Sequence, residues 1–189
     1  MTIFILNTQK LLDLPPILTA TIKGDYLGAS VMKKILVAYF SASGVTAKLA
    51  QRLGKSIQAD IYEICPQTRY TTADLNWTDR SSRSSVEMRN PDCRPPLANP
   101  VPQMSAYEVV FVGFPVWWYR EPSIIDTFME SCAWNGQTVI PFATSGGSGL
   151  GETHLHMQKL APKANVKEGK RFSANVAEKE LAEWAKEVM

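Results

Sequence analysis

From Lys34 onward, short apolar runs alternate along the chain with longer stretches of helical periodicity. The apolar runs lack a polar residue at every second position, which predicts strands that are buried on both faces of a sheet. Helices on both faces of a parallel sheet follow from this alternation, so the pattern predicts an α/β fold. The predicted strands are 34–40, 60–64, 107–116, 137–144 and a weaker one within 165–172; the predicted helices are 45–57, 123–132, one beginning near 150, and 177–189.

Two segments fall outside this alternation. Residues 1–31 are interrupted by Pro15 and Pro16, and we expect them to form a loosely attached extension to a single domain over 32–189. The proline-rich segment 66–106 is long for a connection within a compact domain. We expect it to form a loop and a short polar helix within 73–88 that flank a ligand, with Tyr70 and Trp77 as its packing residues.

Composition excludes several functional classes. In the 189 residues, 20 Lys and Arg balance 18 Asp and Glu, and no basic run carries interleaved aromatic residues, so a nucleic-acid partner is not expected. The apolar stretches are all shorter than the roughly 20 residues that a membrane-spanning helix needs. Cys65, Cys93 and Cys132 are far apart and odd in number. This spacing predicts reduced thiols in a cytoplasmic protein, with Cys65 and Cys132 buried in the core.

Hydroxyl-bearing residues and a glycine follow the first predicted strand directly. The sequence SASGVT places Ser41, Ser43, Gly44, Val45 and Thr46 before a helix, where backbone N–H groups and hydroxyls converge on the positive end of the helix dipole. A phosphate monoester is the ligand that suits such a turn, and an ordinary helix cap is the alternative. The segment matches neither GxxxxGK[ST] nor GxGxxG.

Two further loops have unusual compositions. The segment GFPVWWYREP, 113–122, carries three adjacent aromatic residues just after a strand, which either pack on protein or offer an apolar wall to a planar ligand. The segment TSGGSGLG, 144–151, has so little side-chain bulk that its backbone can approach a ligand closely. Its GGSGL stretch lacks the last glycine of a GxSxG nucleophile elbow. Together the three loops predict a site for a phosphorylated planar heterocycle.

In register, these motifs resemble the flavodoxin-like family over nearly all of 33–189. The resemblance lies in ILVAYFSASGVTAKLA, YTTADLNW, SRSSVEM with RPPL, GFPVWWYREPSIIDTF and PFATSGGSGLG. It implies a three-layer α/β/α sandwich, a five-stranded parallel sheet of order 2-1-3-4-5, and non-covalent flavin mononucleotide (FMN). It also implies roles for three groups of residues: Ser41, Ser43, Gly44, Val45 and Thr46 at the phosphate; Pro115, Val116, Trp117, Trp118 and Tyr119 at the isoalloxazine; Ser145, Gly146, Gly147 and Ser148 at the pyrimidine side.

The resemblance leaves three functions open. The first is an electron carrier that docks a redox partner protein, and the second is a reductase that oxidises NAD(P)H and reduces a quinone or similar acceptor. The third is a flavodoxin-fold interaction module without flavin, against which the intact Ser/Thr loop argues. Carrier flavodoxins are usually acidic, and the net charge of +2 favours the reductase over the carrier.

Single residues near these loops have alternative interpretations. Arg120 either points inward, which would raise the flavin potential, or stacks on the tryptophans at the solvent side, which we favour. Tyr70 either covers the flavin ring or packs within its loop. His154 and His156 lie on different faces of one helix and make a poor metal pair. His154 is interpreted as a surface residue, with proton donation to a reduced quinone as the alternative.

Overall fold

The computed structural model describes residues 34–189 and contains a parallel sheet in the order β2-β1-β3-β4-β5. This confirms the predicted α/β fold and strand order. The extension predicted at 1–31 lies outside the described residues. The strands are β1 (Ile35–Tyr39), β2 (Asp60–Glu63), β3 (Val109–Pro115), β4 (Thr138–Thr144), β5 (Asn165–Val166) and β6 (Lys170–Phe172); the α-helices are α1 (Val45–Ile57), α2 (Arg83–Arg89), α3 (Ser123–Ser131), α4 (Thr153–Leu160) and α5 (Glu178–Val188).

The single strand predicted within 165–172 is split into β5 and β6, which both pair with β4. β5 pairs with the start of β4, where Val139 is opposite Val166, and β6 pairs with its end, where Thr144 is opposite Phe172. Pro141 lies in the intervening part of β4 and has no backbone N–H to offer a neighbouring strand. The ladder along this edge is therefore interrupted beside a proline.

Alternate side chains of the central strands enter two separate cores, one on each face of the sheet. From β1, Leu36 and Ala38 pack on the face that α3 and α4 cover, whereas Val37 and Tyr39 pack on the face that α1 and α5 cover. Both faces of these strands are buried, as their continuous apolar sequence predicts. Helices α1, α3 and α5 each contribute one apolar stripe, which in α5 contains Leu181, Trp184 and Ala185.

The segment between β2 and β3 is anchored on the protein but contains less helix than expected. One α-helix forms, α2 from Arg83 to Arg89, with the Ser82 hydroxyl accepting a hydrogen bond from the Ser85 N–H, and a single 3-10 turn follows at Met104–Ala106. Tyr70 packs against Phe40, whereas Trp77 is 75% exposed, so the prediction that Trp77 is a packing residue was wrong. In the described part of the chain, no helix has both the length and the apolar character needed to cross a bilayer.

Candidate functional site

The loops that follow β1, β3 and β4 meet at the carboxyl edge of the sheet. Strand order reverses between β1 and β3, which is where open parallel sheets bind ligands. An open cleft of about 360 Å³ lies there, and we call it the carboxyl-edge cleft. Its walls are Ser43, Val45, Pro115, Val116, Trp117, Thr144, Ser145, Gly146 and Ala174. All three predicted loops therefore contribute to one cavity.

The first loop leaves the start of α1 open to a ligand. Gly44 has a φ of 84°, a left-handed conformation that a side chain would strain, and its N–H donates to the Ser41 hydroxyl over 3.1 Å. Among the described residues, no side chain caps α1, and its first turn contains no acidic residue. The N–H groups of that turn thus keep their hydrogen-bonding capacity and their positive potential. An ordinary cap, the alternative considered for these hydroxyls, does not form.

A buried hydrogen bond connects the first loop to the third. The Thr46 and Thr144 hydroxyl oxygens are 2.8 Å apart, and both side chains are buried. Thr144 ends β4 and also lines the carboxyl-edge cleft. Through this contact, the first turn of α1 is fixed against the end of the neighbouring strand.

The second loop is a tight turn in which Trp117 and Arg120 exchange both backbone hydrogen bonds, at 2.9 and 3.1 Å. Its two central residues have positive φ angles, 45° at Trp118 and 68° at Tyr119, which non-glycine residues adopt only at a cost. Trp117 lines the carboxyl-edge cleft and is held edge-on by the rings of Phe40 and Tyr70, at 5.7 and 5.3 Å.

Trp118 and Tyr119 do not line the carboxyl-edge cleft. Tyr119 is 71% exposed, and Trp118 lines a separate groove beside α2. Tyr70 makes the loop-packing contacts of its second interpretation, because its hydroxyl donates to Glu87 and the Arg83 guanidinium lies over its ring. Burial raises the pKa of this phenol, and the bond to Glu87 adds to that effect.

The third loop contacts both the cleft and the second loop. Ser145 and Gly146 line the cleft, whereas Gly147 and Ser148 lie outside its walls. The Ser145 hydroxyl accepts a hydrogen bond from the Gly147 N–H over 3.0 Å. Gly151 has a φ of 54°, and a Cβ there would come within 2.9 Å of the Tyr119 carbonyl oxygen. Only glycine permits this close approach of the two loops.

Behind the Trp117–Arg120 turn lies a buried ionic network that the sequence did not reveal. Arg120 contacts the buried carboxylates of Glu121 and Asp126, so the expectation that it stacks on the tryptophans at the solvent side was wrong. His156 Nδ1 bonds to Glu121 and lies 3.7 Å from Asp126. The turn, α3 and α4 are thus connected by ionisable groups, and Asp126 lies within reach of two guanidinium groups, those of Arg120 and Arg94.

The two carboxyl groups of this network titrate in opposite directions. Burial raises the pKa of Asp126 to about 6, against the opposing charge of Arg120. For Glu121, burial raises the pKa, but the hydrogen bond from His156 and the charge of Arg120 together lower it below its usual range. Of these two carboxyl groups, Asp126 is therefore the one that takes up a proton first as the pH falls.

Ala174, which follows β6, is a further cleft residue that the sequence analysis missed. Its methyl side chain gives no chemical signal in the sequence, and it lies at the cleft because β6 pairs with the end of β4.

The thiols also differ from expectation. Cys132 is buried, and burial raises its pKa to about 12, but Cys65 is only half-buried, contrary to its predicted place in the core.

Comparison with known proteins places this architecture in a family. A flavodoxin family model matches residues 34–188. The chain belongs to the flavodoxin family. No curated protein matches the sequence. Among solved structures, a candidate flavoprotein from Bacteroides uniformis is 41% identical with a TM-score of 0.77, covering 82% of this chain and 98% of that one.

Two further flavoprotein structures extend this comparison. A candidate flavoprotein from Bacteroides eggerthii is 45% identical with a TM-score of 0.77, and the match covers 82% of this chain and 98% of that chain. A flavoprotein from Lactobacillus acidophilus, solved in complex with FMN, is 21% identical with a TM-score of 0.60, covering 81% and 99% of the two chains. At that identity the likeness shows the fold alone.

Proposed function

We propose that this flavodoxin binds FMN non-covalently in the carboxyl-edge cleft and transfers electrons through it. The observation that carries the proposal is the open first turn of α1 at the mouth of the cleft, free of side-chain caps and acidic residues in the described chain. A phosphate dianion is stabilised by such N–H groups and by the helix dipole. Flavodoxin membership indicates FMN as the cofactor, and the volume of about 360 Å³ is in the range of small-molecule sites.

The residues present fit this cofactor by their chemistry. Ser41, Ser43, Gly44, Val45 and Thr46 would hold the phosphate, with Thr46 oriented by its bond to Thr144. Pro115, Val116 and Trp117, which line the cleft, would flank the isoalloxazine, and Ser145 and Gly146 would close its pyrimidine side. FMN, when bound, supplies the electron chemistry.

The protein holds the walls of the carboxyl-edge cleft in position. The Phe40 and Tyr70 rings hold Trp117 at the wall of the cleft, so its indole needs little reordering to accept a planar ligand. The Val116 N–H is already committed to the Thr144 carbonyl oxygen over 2.9 Å, which ties the second loop to the third. Both contacts pre-organise the cleft and lower the entropic cost of binding.

The test compares FMN with riboflavin, which has the same ring system but no phosphate. Apoprotein is titrated with each, following flavin fluorescence and the visible spectrum. We expect one FMN per chain and a dissociation constant for riboflavin at least about 100-fold higher, or about 2.7 kcal/mol. Equal affinities for FMN and riboflavin would show that the first loop does not bind the phosphate. The absence of a spectral change at saturating FMN would refute the whole proposal.

A reductase is the second candidate, and its support is the charge of the chain. A net charge of +2 gives the chain no overall negative charge for steering toward basic carrier partners. Under anaerobic conditions, stoichiometric oxidation of NADH or NADPH by a quinone with catalytic amounts of the FMN-loaded protein would support the reductase. Reduction only by a partner protein would instead support the carrier.

The cysteines bear on where the protein works. Three unpaired thiols favour a reducing compartment, and we propose the cytoplasm.

A further inference from the structure

We propose that a groove between α2 and the Trp117–Arg120 turn binds a planar aromatic anion, at a site separate from the carboxyl-edge cleft. We call it the indole groove. It has a volume of about 300 Å³ and is lined by Trp77, Arg80, Ser85, Met88, Arg89 and Trp118. Its binding of a ligand does not depend on FMN.

Two exposed indoles supply the aromatic walls. Trp77 is 75% and Trp118 is 45% exposed, from segments about 40 residues apart in the chain. Large aromatic surfaces exposed side by side are costly in water and are covered well by another flat ring. Trp118 also adopts its positive φ of 45° in holding this position. The aromatic component of the proposed ligand is inferred from these walls.

Two guanidinium groups supply the charge. Neither Arg80 nor Arg89 has an ion pair with a carboxylate of residues 34–189, whereas Arg83, Arg94 and Arg120 all have one. Arg89 Nη2 donates to the Arg80 carbonyl oxygen over 2.5 Å, which keeps the two residues together. Guanidinium groups beside aromatic rings recognise carboxylates and sulfonates on planar ligands. A negative charge on the ligand follows from this pair.

The floor of the groove is a fixed surface. The Ser84 N–H donates to the Asp74 carbonyl oxygen over 3.0 Å, and Met88 Sδ accepts a hydrogen bond from Ser123 at the start of α3 over 3.8 Å. Trp117 lines the carboxyl-edge cleft and the next residue, Trp118, lines the indole groove. A ligand in the groove would therefore be separated from the cleft by one turn of backbone.

The test uses 2-naphthoate as the probe and 2-naphthamide as its neutral control of the same shape. The full chain, with and without saturating FMN, is titrated with each compound in a calorimeter. We expect one naphthoate site per chain under both conditions, with affinity at least about 10-fold above that of the amide. Absence of naphthoate binding, equal binding of the amide, or displacement of FMN by naphthoate would each overturn the proposal.

Variants locate the site. The double variant Arg80→Gln, Arg89→Gln and the single variant Trp77→Ala should each weaken naphthoate binding at least about 10-fold. Arg171→Gln, an exposed arginine on β6 outside the groove, is the matched control and should leave it unchanged. FMN affinity should be unaltered in all three, which separates failure of this proposal from failure of the proposed function. Naphthoate binding that survives both groove variants would place the probe elsewhere and refute the assignment.

Discussion

The side-chain hydroxyl of Thr46 lies 2.8 Å from that of Thr144, which joins the first turn of α1 to the end of β4. These residues are 98 positions apart in sequence. Their contact places the proposed phosphate site and the glycine-rich loop at a fixed separation. Both side chains are buried, so each hydroxyl depends on the other for its hydrogen bond within the described chain.

Introducing a negative charge at Thr46 should abolish FMN retention. In Thr46→Asp, the carboxylate would repel the phosphate dianion at the start of α1. We expect the dissociation constant for FMN, measured by fluorescence titration, to rise at least about 100-fold. Thr46→Asn is the control, because its side chain has nearly the same shape without the charge. Equal losses in the two variants would show that geometry rather than charge is responsible.

Replacing Tyr119 by glycine should stabilise the protein. The residue has a φ of 68° and is largely exposed, so little packing is lost with the ring. Relief of the left-handed penalty, about 1–2 kcal/mol, exceeds the entropic cost of glycine, about 0.5–1 kcal/mol. Urea denaturation should therefore give a free energy of unfolding about 0.5–1 kcal/mol above wild type. Tyr119→Ala removes the ring but keeps the Cβ, and a similar gain there would contradict the explanation.

Gly151→Ala should have the opposite effect. The new Cβ would meet the Tyr119 carbonyl oxygen at 2.9 Å, at a residue whose φ of 54° already disfavours a side chain. We expect a loss of about 1–3 kcal/mol in the free energy of unfolding. Gly149→Ala is the matched control in the same loop, because a Cβ there meets nothing within 4 Å. If the two variants unfold alike, the contact between the loops contributes nothing to stability.

Asp126 should make the protein less stable as the pH rises from about 4 to about 6. Its folded pKa of about 6 lies above its ordinary value of 3.8, so the native state binds the proton more tightly than the unfolded chain does. The free energy of unfolding therefore falls across this window and levels off above it. In Asp126→Asn, the neutral amide does not titrate in this pH range. Relative to wild type, its stability should rise by up to about 3 kcal/mol between pH 4 and pH 7.

Glu130 provides a control of the opposite sign. Its hydrogen bond with Arg94 lowers the pKa of its carboxyl group, so the stability that it contributes is present above the unfolded pKa and is lost as the pH falls. Relative to wild type, Glu130→Gln should thus lose stability as the pH rises. Denaturation curves at several pH values measure both variants. A difference between Asp126→Asn and wild type that does not change with pH would refute the role of Asp126.

Most of the sheet and the meeting of the three loops could be predicted from local sequence. Continuous apolar runs identify strands buried on two faces, and parallel strands bring their carboxyl ends to one edge. Helix α1 begins and ends as predicted, because Gly44 precedes an apolar stripe of regular spacing. These features depend on neighbouring residues, which is the information that a single sequence carries most clearly.

The ionic network could not be predicted, because it depends on residues that are distant in sequence. Glu121 and His156 are 35 positions apart, and each has the local sequence of an exposed polar residue. Arg120 follows two tryptophans, which suggested stacking, but the buried carboxylates of Glu121 and Asp126 provide a stronger electrostatic partner. Trp77 was misjudged for a related reason, since aromatic residues usually pack and its exposure is set by the surrounding loop.

The interruption between β5 and β6 also affects how the sheet meets other molecules. At that margin the described chain offers only strands of two and three residues, and at the opposite margin β2 presents the charged residues Asp60 and Glu63 to solvent. Long, flat, uncharged margins are what allow foreign strands to add on and fibrils to grow. The edge strands of this sheet therefore disfavour aggregation by backbone pairing between molecules. We expect the protein to stay dispersed at the high concentrations that flavin spectroscopy uses.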